Sequence, residues 1–444
     1  MLLGAAWALS LASCALIYGA RSQPLLANVG FALLGFVLTL RLIPSLGPSF
    51  LKRGFVGKDL SKKHQPLLPE TMGAVSAMVY LFIMLFFLPF AFYKYVVLAS
   101  SGGGNREEAH REISHVHTGR MLHQFPHEKL GEYLSAILSL QSMVILGVAD
   151  DLFDIRWRHK LLLPAFAVIP MLILYFIDFG VTQVVVPIPL RPHLGRLVDI
   201  GPLYYVYMGA VAIFCPNAIN ILAGVNGLEV GQSLVIALFI VWNDCLYLFK
   251  PNHPALDSHL FSIYFMLPFL GVSLALLYHN WYPANVFVGD TYCYFAGMVF
   301  VVVGILGHFS KTLLLFFIPQ IINFIYSAPQ LFHLVPCPRH RLPKLRSDGM
   351  LDPSRADLTK GVPAGTIMGL KVLEQLRLIK LWRNEKGDIV ECSNFTIINL
   401  TLVWFGPLRE DRLSLTLLVF QAICCTFGLL MRHQMALLIF TEDN

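Results

Sequence analysis

Charge is scarce in this chain. Asp, Glu, Lys and Arg make up 14% of its 444 residues, against about 25% in ordinary globular proteins. With 56% hydrophobic residues and 33 Phe, no compact soluble core could hide the apolar surface. Disorder is excluded for the same reason, since disordered chains are rich in charge and poor in aromatics. No Cys-x-x-Cys pair occurs among the eight cysteines, and several lie in apolar runs, so buried thiols are expected rather than a disulfide framework or a thiolate metal site. A Walker A loop, a His-Glu-x-x-His helix and a nucleophile elbow are all missing, and no internal repeat is visible. The net charge of +6 is modest and spread along the chain, which argues against nucleic acid, whose binding favours a concentrated basic face.

What is abundant is long apolar sequence. A hydrocarbon core of about 30 Å needs about 20 apolar residues per helix. About ten runs approach that length: Leu25–Leu46, Gly73–Leu98, Tyr133–Ala149, Leu161–Ile177, Leu203–Gly224, Leu228–Phe249, Leu260–Tyr278, Thr291–Phe309, Thr312–Val335 and Leu413–Met431. The fold expected is therefore an all-α polytopic membrane protein of about ten transmembrane helices, with a small mixed α/β insert before the last. Residues 1–23 form an apolar leader or lumenal extension, signal-like in length but without a basic n-region. Residues 24–335 are read as a nine-helix catalytic bundle, 336–412 as the insert, and 413–444 as the last helix with a lumenal tail. Within the insert, Ile379–Glu391 and Phe395–Phe405 alternate enough to predict strands around a turn at Glu385-Lys386-Gly387-Asp388.

Lys and Arg set orientation. The loops after odd-numbered runs carry Lys52, Arg53, Lys58, Lys62 and Lys63, then Arg156, Arg158 and Lys160, then Arg339, Arg341, Lys344 and Arg346. The positive-inside tendency places these exits, and the insert, on the cytosolic side. Two sequons in the insert, Asn394-Phe-Thr and Asn399-Leu-Thr, are then predicted to stay unmodified.

The spans are almost free of Asp and Glu, and the unusual polar sequence gathers at the odd exits: Gly57-Lys-Asp-Leu60 with Glu70; Ala149-Asp-Asp-Leu-Phe-Asp-Ile-Arg-Trp-Arg-His-Lys160; Asn217-Ala-Ile-Asn220 with Asn226-Gly227; Asn280-Trp-Tyr-Pro with Gly289-Asp290; and Arg339-His-Arg341. Five exits on one side of a bilayer form the pattern of a composite active site at a membrane surface. Each group also has a plainer reading. Asp150, Asp151 and Asp154 repel one another unless a cation or Arg156, Arg158 and Lys160 offset them, but they could equally be a solvated cluster at a helix end. Asp290 offers hard oxygen to Mg²⁺ or caps a helix. Asn217 and Asn220, three apart, share a helix face and can serve a site or bond between helices. Arg339 and Arg341 suit phosphate oxygens, as does Lys160, yet all three could simply flank a span. Carboxylates for a divalent cation, guanidinium and ammonium groups for phosphates, and an apolar surround together suit phosphoryl transfer to a lipid.

The motifs Ala149-Asp150-Asp151, Asn217-Ala-Ile-Asn220 with Asn226-Gly-Leu-Glu229, Asn280-Trp-Tyr-Pro with Phe287-Val-Gly-Asp290, and Pro338-Arg-His-Arg341 resemble those of the polyprenyl-phosphate N-acetylhexosamine-1-phosphate transferase superfamily. Arg-His-Arg and the 336–412 insert favour its eukaryotic dolichol branch. The resemblance implies a ten-span endoplasmic reticulum enzyme with a cytosolic active site. It would transfer N-acetylglucosamine 1-phosphate from UDP-N-acetylglucosamine to dolichyl phosphate with Mg²⁺, and would be a target of tunicamycin. By position it implies Asn220 and Asp290 as Mg²⁺ ligands and Lys160 on the acceptor phosphate. Lys58, Asp59, Leu60, Glu70, Asn226 and Phe287 would surround the uridine, and Arg339, His340 and Arg341 the diphosphate and amino sugar. Asp150 and Asp151 are read as holding Lys160 or an outer-shell metal water; Asp154, Trp157 and Asn217 complete the substrate-binding set. Asp154 stands where dolichol-branch relatives often carry an amide.

The partners expected are the two substrates and the bilayer, with no nucleic acid and a homodimer left open. Two rival readings are a superfamily transferase with another UDP-sugar or polyprenyl phosphate, and a nucleotide-sugar carrier. Carriers place polar groups near the bilayer midplane and often show inverted repeats, which this chain does not.

Overall fold

A computed structural model describes residues 2–93, 95, 126–153, 155–250, 253–338, 341–359 and 362–435. Among them, eight helices are long and apolar enough to cross a bilayer. They are α2 (Pro24–Lys52), α3 (Gly73–Ala91), α4 (His127–Phe153), α8 (Pro202–Ile221), α9 (Leu228–Leu248), α10 (Leu256–Asn280), α11 (Gly289–Leu306) and α16 (Glu410–Leu430). A ninth span is the pair α12 (Ser310–Phe316) and α13 (Ile318–Leu331), bent by 66°. The apolar N-terminal stretch forms α1 (Leu2–Gly19), packed along α2. The tail at 436–444 and the end of the second apolar run, 96–98, lie outside the described residues.

The fourth run departs from expectation. Leu161–Ile177 is not one helix but two short ones, α6 (Leu163–Ala167) and α7 (Ile169–Asp178), with Pro164 and Pro170 in their first turns. Proline is preorganised to begin a helix and cannot donate within one, so each restarts the chain. The bend between α12 and α13 has the same origin at Pro319. There the polar backbone is met by glutamines: Gln421 Nε2 donates to Phe316 O at 2.8 Å, and Gln320 Nε2 donates to Gln232 Oε1 and Gln421 Oε1 at 2.8 and 2.7 Å. In an apolar medium such partners are what make the break tolerable.

Helix α11 is the centre of the bundle. Every residue from Thr291 to Leu306 is buried, and α3, α4, α8 and α10 pack around it. Small residues allow the closest approaches. A Cβ on Gly297 would stand 2.3 Å from the Pro216 Cα in α8, so only glycine admits that contact.

The insert is α/β, with the expected hairpin over Ile379–Glu391 turning at Glu385–Asp388, but without the second expected strand. Arg355–Asp357, Ile389–Ser393 and Leu381–Arg383 form, in that order, a three-stranded antiparallel sheet with Ile389–Ser393 at its centre, backed by α14 (Ala364–Gln375). Phe395–Phe405 is not a strand: Ile397–Phe405 is the helix α15, whose first turn is capped by Thr396 Oγ1 accepting from the Asn399 N–H at 3.3 Å. Ile397, Ile398, Leu400 and Leu402 are all buried, so the apolar pattern fits either period and only packing decides. Ile397, Ile398 and Leu402 lock with Leu413 and Leu417 of α16 and with Leu222, Val225 and Leu228 between α8 and α9. The insert is thereby seated beside the loop that carries Asn226. All eight cysteines are free; five are buried, Cys245 is half-buried, and Cys14 and Cys337 are exposed, against the expectation of burial.

Candidate active site

The five polar segments converge on one cavity of about 940 Å³. Its walls include Lys58, Asp59, Leu60, Glu70, Lys160, Asn220, Asn226, Phe287, Asp290 and Arg341. Asn217 is not among them: its amide donates to Ile213 O at 2.7 Å within its own helix and to Leu161 O at 3.4 Å. Its place is structural, linking α8 to the broken fourth segment. Asp154, Arg339 and His340 lie outside the described residues, and Trp157 opens the four-residue helix α5 (Trp157–Lys160).

At the heart of the cavity, Lys160 Nζ donates to Asp290 Oδ2 at 2.8 Å and to Asp150 Oδ2 at 3.1 Å. Asp150 Oδ1 also accepts from the Ile155 N–H at 3.1 Å, fixing the chain between α4 and α5. Burial works against the Lys160 ammonium, but the charges of Asp290 and Asp150 outweigh it and hold the pKa above the ordinary lysine value. Burial pushes the Glu70 carboxyl above its usual range, with the Asp290 charge adding to the shift.

Asp290 is not the cap of its own helix. Asp151, reaching across from α4, takes that role: its oxygens accept from the Asp290 N–H at 2.8 Å, the Thr291 N–H at 3.3 Å and Thr291 Oγ1 at 2.5 Å. A carboxylate there satisfies the first N–H groups of α11 and complements its dipole. It leaves the Asp290 side chain free to face the cavity. Gly289, at φ +73°, makes the turn, and a Cβ on it would lie 2.8 Å from Asp151 Oδ2.

Asn220 enters the same wall with its buried side-chain amide turned toward the Asp290 carboxylate. Amide oxygen and nitrogen exchange by a flip, so this end of α8 can present oxygen beside the Asp290 carboxylate. Two hard oxygens suit Mg²⁺, which completes its shell with water and phosphate; among the described residues no cluster of three or more His, Cys, Asp or Glu offers a rival metal cage. On the insert side, Arg341 Nη1 is buried without a partner. Its backbone carbonyl is clamped by Asn399 Nδ2 at 3.0 Å and Ser354 Oγ at 2.9 Å. A guanidinium held this way is ready for an anion.

The β-hairpin between α2 and α3, β1 (Val56–Lys58) with β2 (Leu67–Pro69), carries Asp59 and Glu70. Phe287 extends this edge, its N–H donating to Pro69 O at 2.9 Å, and its ring lies where a Cβ on Gly57 would be, 2.6 Å away. Asp59 Oδ2 accepts from Asn226 Nδ2 at 3.2 Å.

Several wall residues escape the sequence reading. Asn280 Oδ1 accepts from the Gly227 N–H at 3.1 Å while its Nδ2 donates to Val286 O at 2.9 Å, tying two site loops together. Glu229 Oε1 accepts from the Gly224 N–H at 2.7 Å. Both sit inside motifs already singled out, so a signal existed. Glu410, and Lys62 paired with it behind the wall, had none: at the margin of an apolar run and in a basic loop, they look like ordinary flanking charge.

Residues 133–308 match the model of Glycosyl transferase family 4. A Saccharomyces cerevisiae protein named UDP-N-acetylglucosamine–dolichyl-phosphate N-acetylglucosaminephosphotransferase is 56% identical, over 99% of this chain and 98% of its own. The protein of the same name from Schizosaccharomyces pombe is 52% identical over 99% and 98%, and that from Dictyostelium discoideum 39% over 93% and 90%. With that identity running through both the bundle and the insert, the chain belongs to the UDP-N-acetylglucosamine–dolichyl-phosphate N-acetylglucosaminephosphotransferase family.

Proposed function

We propose that this membrane enzyme transfers N-acetylglucosamine 1-phosphate from UDP-N-acetylglucosamine to dolichyl phosphate, releasing UMP and leaving dolichyl diphosphate N-acetylglucosamine. It would do so from the cytosolic face of the endoplasmic reticulum, at the start of the lipid-linked oligosaccharide pathway for protein N-glycosylation. The observation that carries the reading is the one cavity lined both by the Lys160–Asp290 pair at 2.8 Å and by Arg341, whose Nη1 is buried without a partner. It combines cations for two phosphate-bearing substrates with a carboxylate for a metal, beside a membrane-embedded bundle. The names of the relatives support the same substrates.

In this reading an oxygen of the acceptor phosphate attacks the β-phosphorus of the nucleotide sugar. The new P–O bond forms as the bond from that phosphorus to the bridging oxygen breaks, and the oxygen leaves with UMP. A phosphate monoester has its second pKa near about 6, so the acceptor is largely dianionic at neutral pH and needs no general base. Lys160 receives the acceptor phosphate, and Asp150 holds the ammonium in place. Asp151 aligns the Asp290 carboxylate by capping α11. Arg341, with Arg339 and His340, meets the diphosphate and the amino sugar, while Lys58, Asp59, Leu60, Glu70, Asn226 and Phe287 surround the uridine. Asn220 and Asp290 would hold Mg²⁺, which when bound neutralises charge on the diphosphate oxygens.

Purified protein given UDP-N-acetylglucosamine, dolichyl phosphate and Mg²⁺ should release UMP, and a chelator should stop it. Release of UMP without a lipid product, or turnover only with another UDP-sugar, would overturn the assignment.

A further inference from the structure

A second charged cluster borders the same cavity and joins Asp59 and Asn226, placed above around the uridine, to Lys62 and Glu410. Asp59 and Glu410 are each only 3% exposed, and Asn226 is 5% exposed. Lys62 serves both carboxylates, its Nζ lying 3.3 Å from Asp59 Oδ2 and pairing directly with Glu410 Oε2. The ammonium also sits 4.2 Å from the centre of the Tyr282 ring. Glu410 Oε1 accepts from the backbone N–H of Asn226 at 2.9 Å, and Ser414 Oγ donates to the Asn226 carbonyl at 2.9 Å. Glu410 and Ser414 are four apart on one face of α16. The first turns of the last helix therefore grip both sides of a residue 184 positions earlier, leaving the Asn226 amide to bond Asp59.

A buried ion pair of this kind is weak evidence for stability, because desolvation offsets much of the attraction. What it does supply is geometry. From these contacts we infer that Glu410, working through Lys62 and the Asn226 peptide, is a positioning residue for the nucleotide sugar. It sets the spacing of Asp59 and Asn226 and so determines donor affinity, without touching the acceptor lipid or the reacting phosphorus. The inference rests on the donor assignment above and adds to it the last membrane helix as part of the donor site.

The test is steady-state kinetics on the purified full chain, with thermal midpoints recorded alongside. Glu410→Gln should raise KM for UDP-N-acetylglucosamine by about tenfold, roughly what one lost charge-assisted contact costs. Both kcat and KM for dolichyl phosphate should stay within about twofold, and Glu410→Asp should recover part of the loss. In an Asp59→Asn background, Glu410→Gln should add little, since the two act through one network. Lys62→Met reads the same contact from its more exposed side and should show the same donor-selective rise, which covers a Glu410 variant that fails to fold. An unchanged donor KM in either folded variant, an equal change in acceptor KM, or full additivity with Asp59→Asn would overturn the inference. If the wild-type chain itself does not turn over UDP-N-acetylglucosamine, the donor assignment fails instead. Equilibrium dialysis of UDP then decides the clamp, with about tenfold weaker binding expected for Glu410→Gln and equal binding overturning it.

Discussion

Lys160 lies between two carboxylates, and its titration follows from that. Its folded pKa is raised, so its stabilising contribution is complete below the unfolded lysine value of about 10.4 and is lost only as pH climbs through the folded value above it. Across about pH 7 to pH 9 the ammonium keeps its charge. We therefore expect KM for dolichyl phosphate to be flat over that range, and a rise centred within it that Lys160→Arg abolishes would contradict the ion-pair geometry. Asp290 carries the other half of the site. Freed from capping by Asp151, its carboxylate is expected to be worth about 10²–10³-fold in turnover, the range seen when one preorganised electrostatic group is removed. UMP release by Asp290→Ala, in protein whose thermal midpoint matches the wild type, checks this. Asp290 illustrates a limit of reading in one dimension: capping and metal binding are equally plausible until the partner on α4 is seen.

At the level of elements, the residues that look like glycosylation sites hold the insert together, and Asn394 also ties it to Gln330 of the bundle. Asn394 and Asn399 are fully buried. Asn394 Nδ2 donates to Ser354 Oγ at 2.8 Å and its Oδ1 accepts from Gln330 at 2.7 Å; Asn399 bridges Ser354 and the Arg341 carbonyl. Neither amide is free for a glycan, so intact-mass analysis of the expressed protein should show no mass lost on endoglycosidase treatment. Asn399→Ala strips several buried groups of their partners and should cost about 1–3 kcal/mol, by the usual penalty for unsatisfied buried polar atoms. A denaturation series on the solubilised protein reads that loss. An accompanying rise in donor KM would report the slackened Arg341 backbone.

For the whole molecule, the bundle is polarised. The cavity occupies one end of α9, α10 and α11, while their other ends meet in a separate cluster, where His259 bonds Asp244 at 2.6 Å and its ring stacks on Tyr247. Cysteines placed at Ser61 in the β1–β2 loop and at Gly195 beyond α7 should therefore react with an impermeant reagent from opposite compartments. The exposed native Cys337, a lining residue of the cavity, should follow Ser61. Labelling of all three from one side would remove the single-face site on which the function rests.

Membrane residence, the number of apolar runs to within the broken ones, and the gathering of polar motifs at one end of the bundle were already written in composition and in where those motifs fall. Both are sums over local sequence, and the bilayer acts on local hydrophobicity and charge. The motifs likewise named most of the cavity wall. Two things came only from tertiary structure: that Phe395–Phe405 is chiefly helix, and that Asn217 serves packing while Glu410 lines the cavity. Each depends on a partner tens to hundreds of residues away. A nearly all-apolar segment fits more than one period, and a flanking charge looks the same whether it faces water or a buried lysine, so long-range contact is what separates the alternatives.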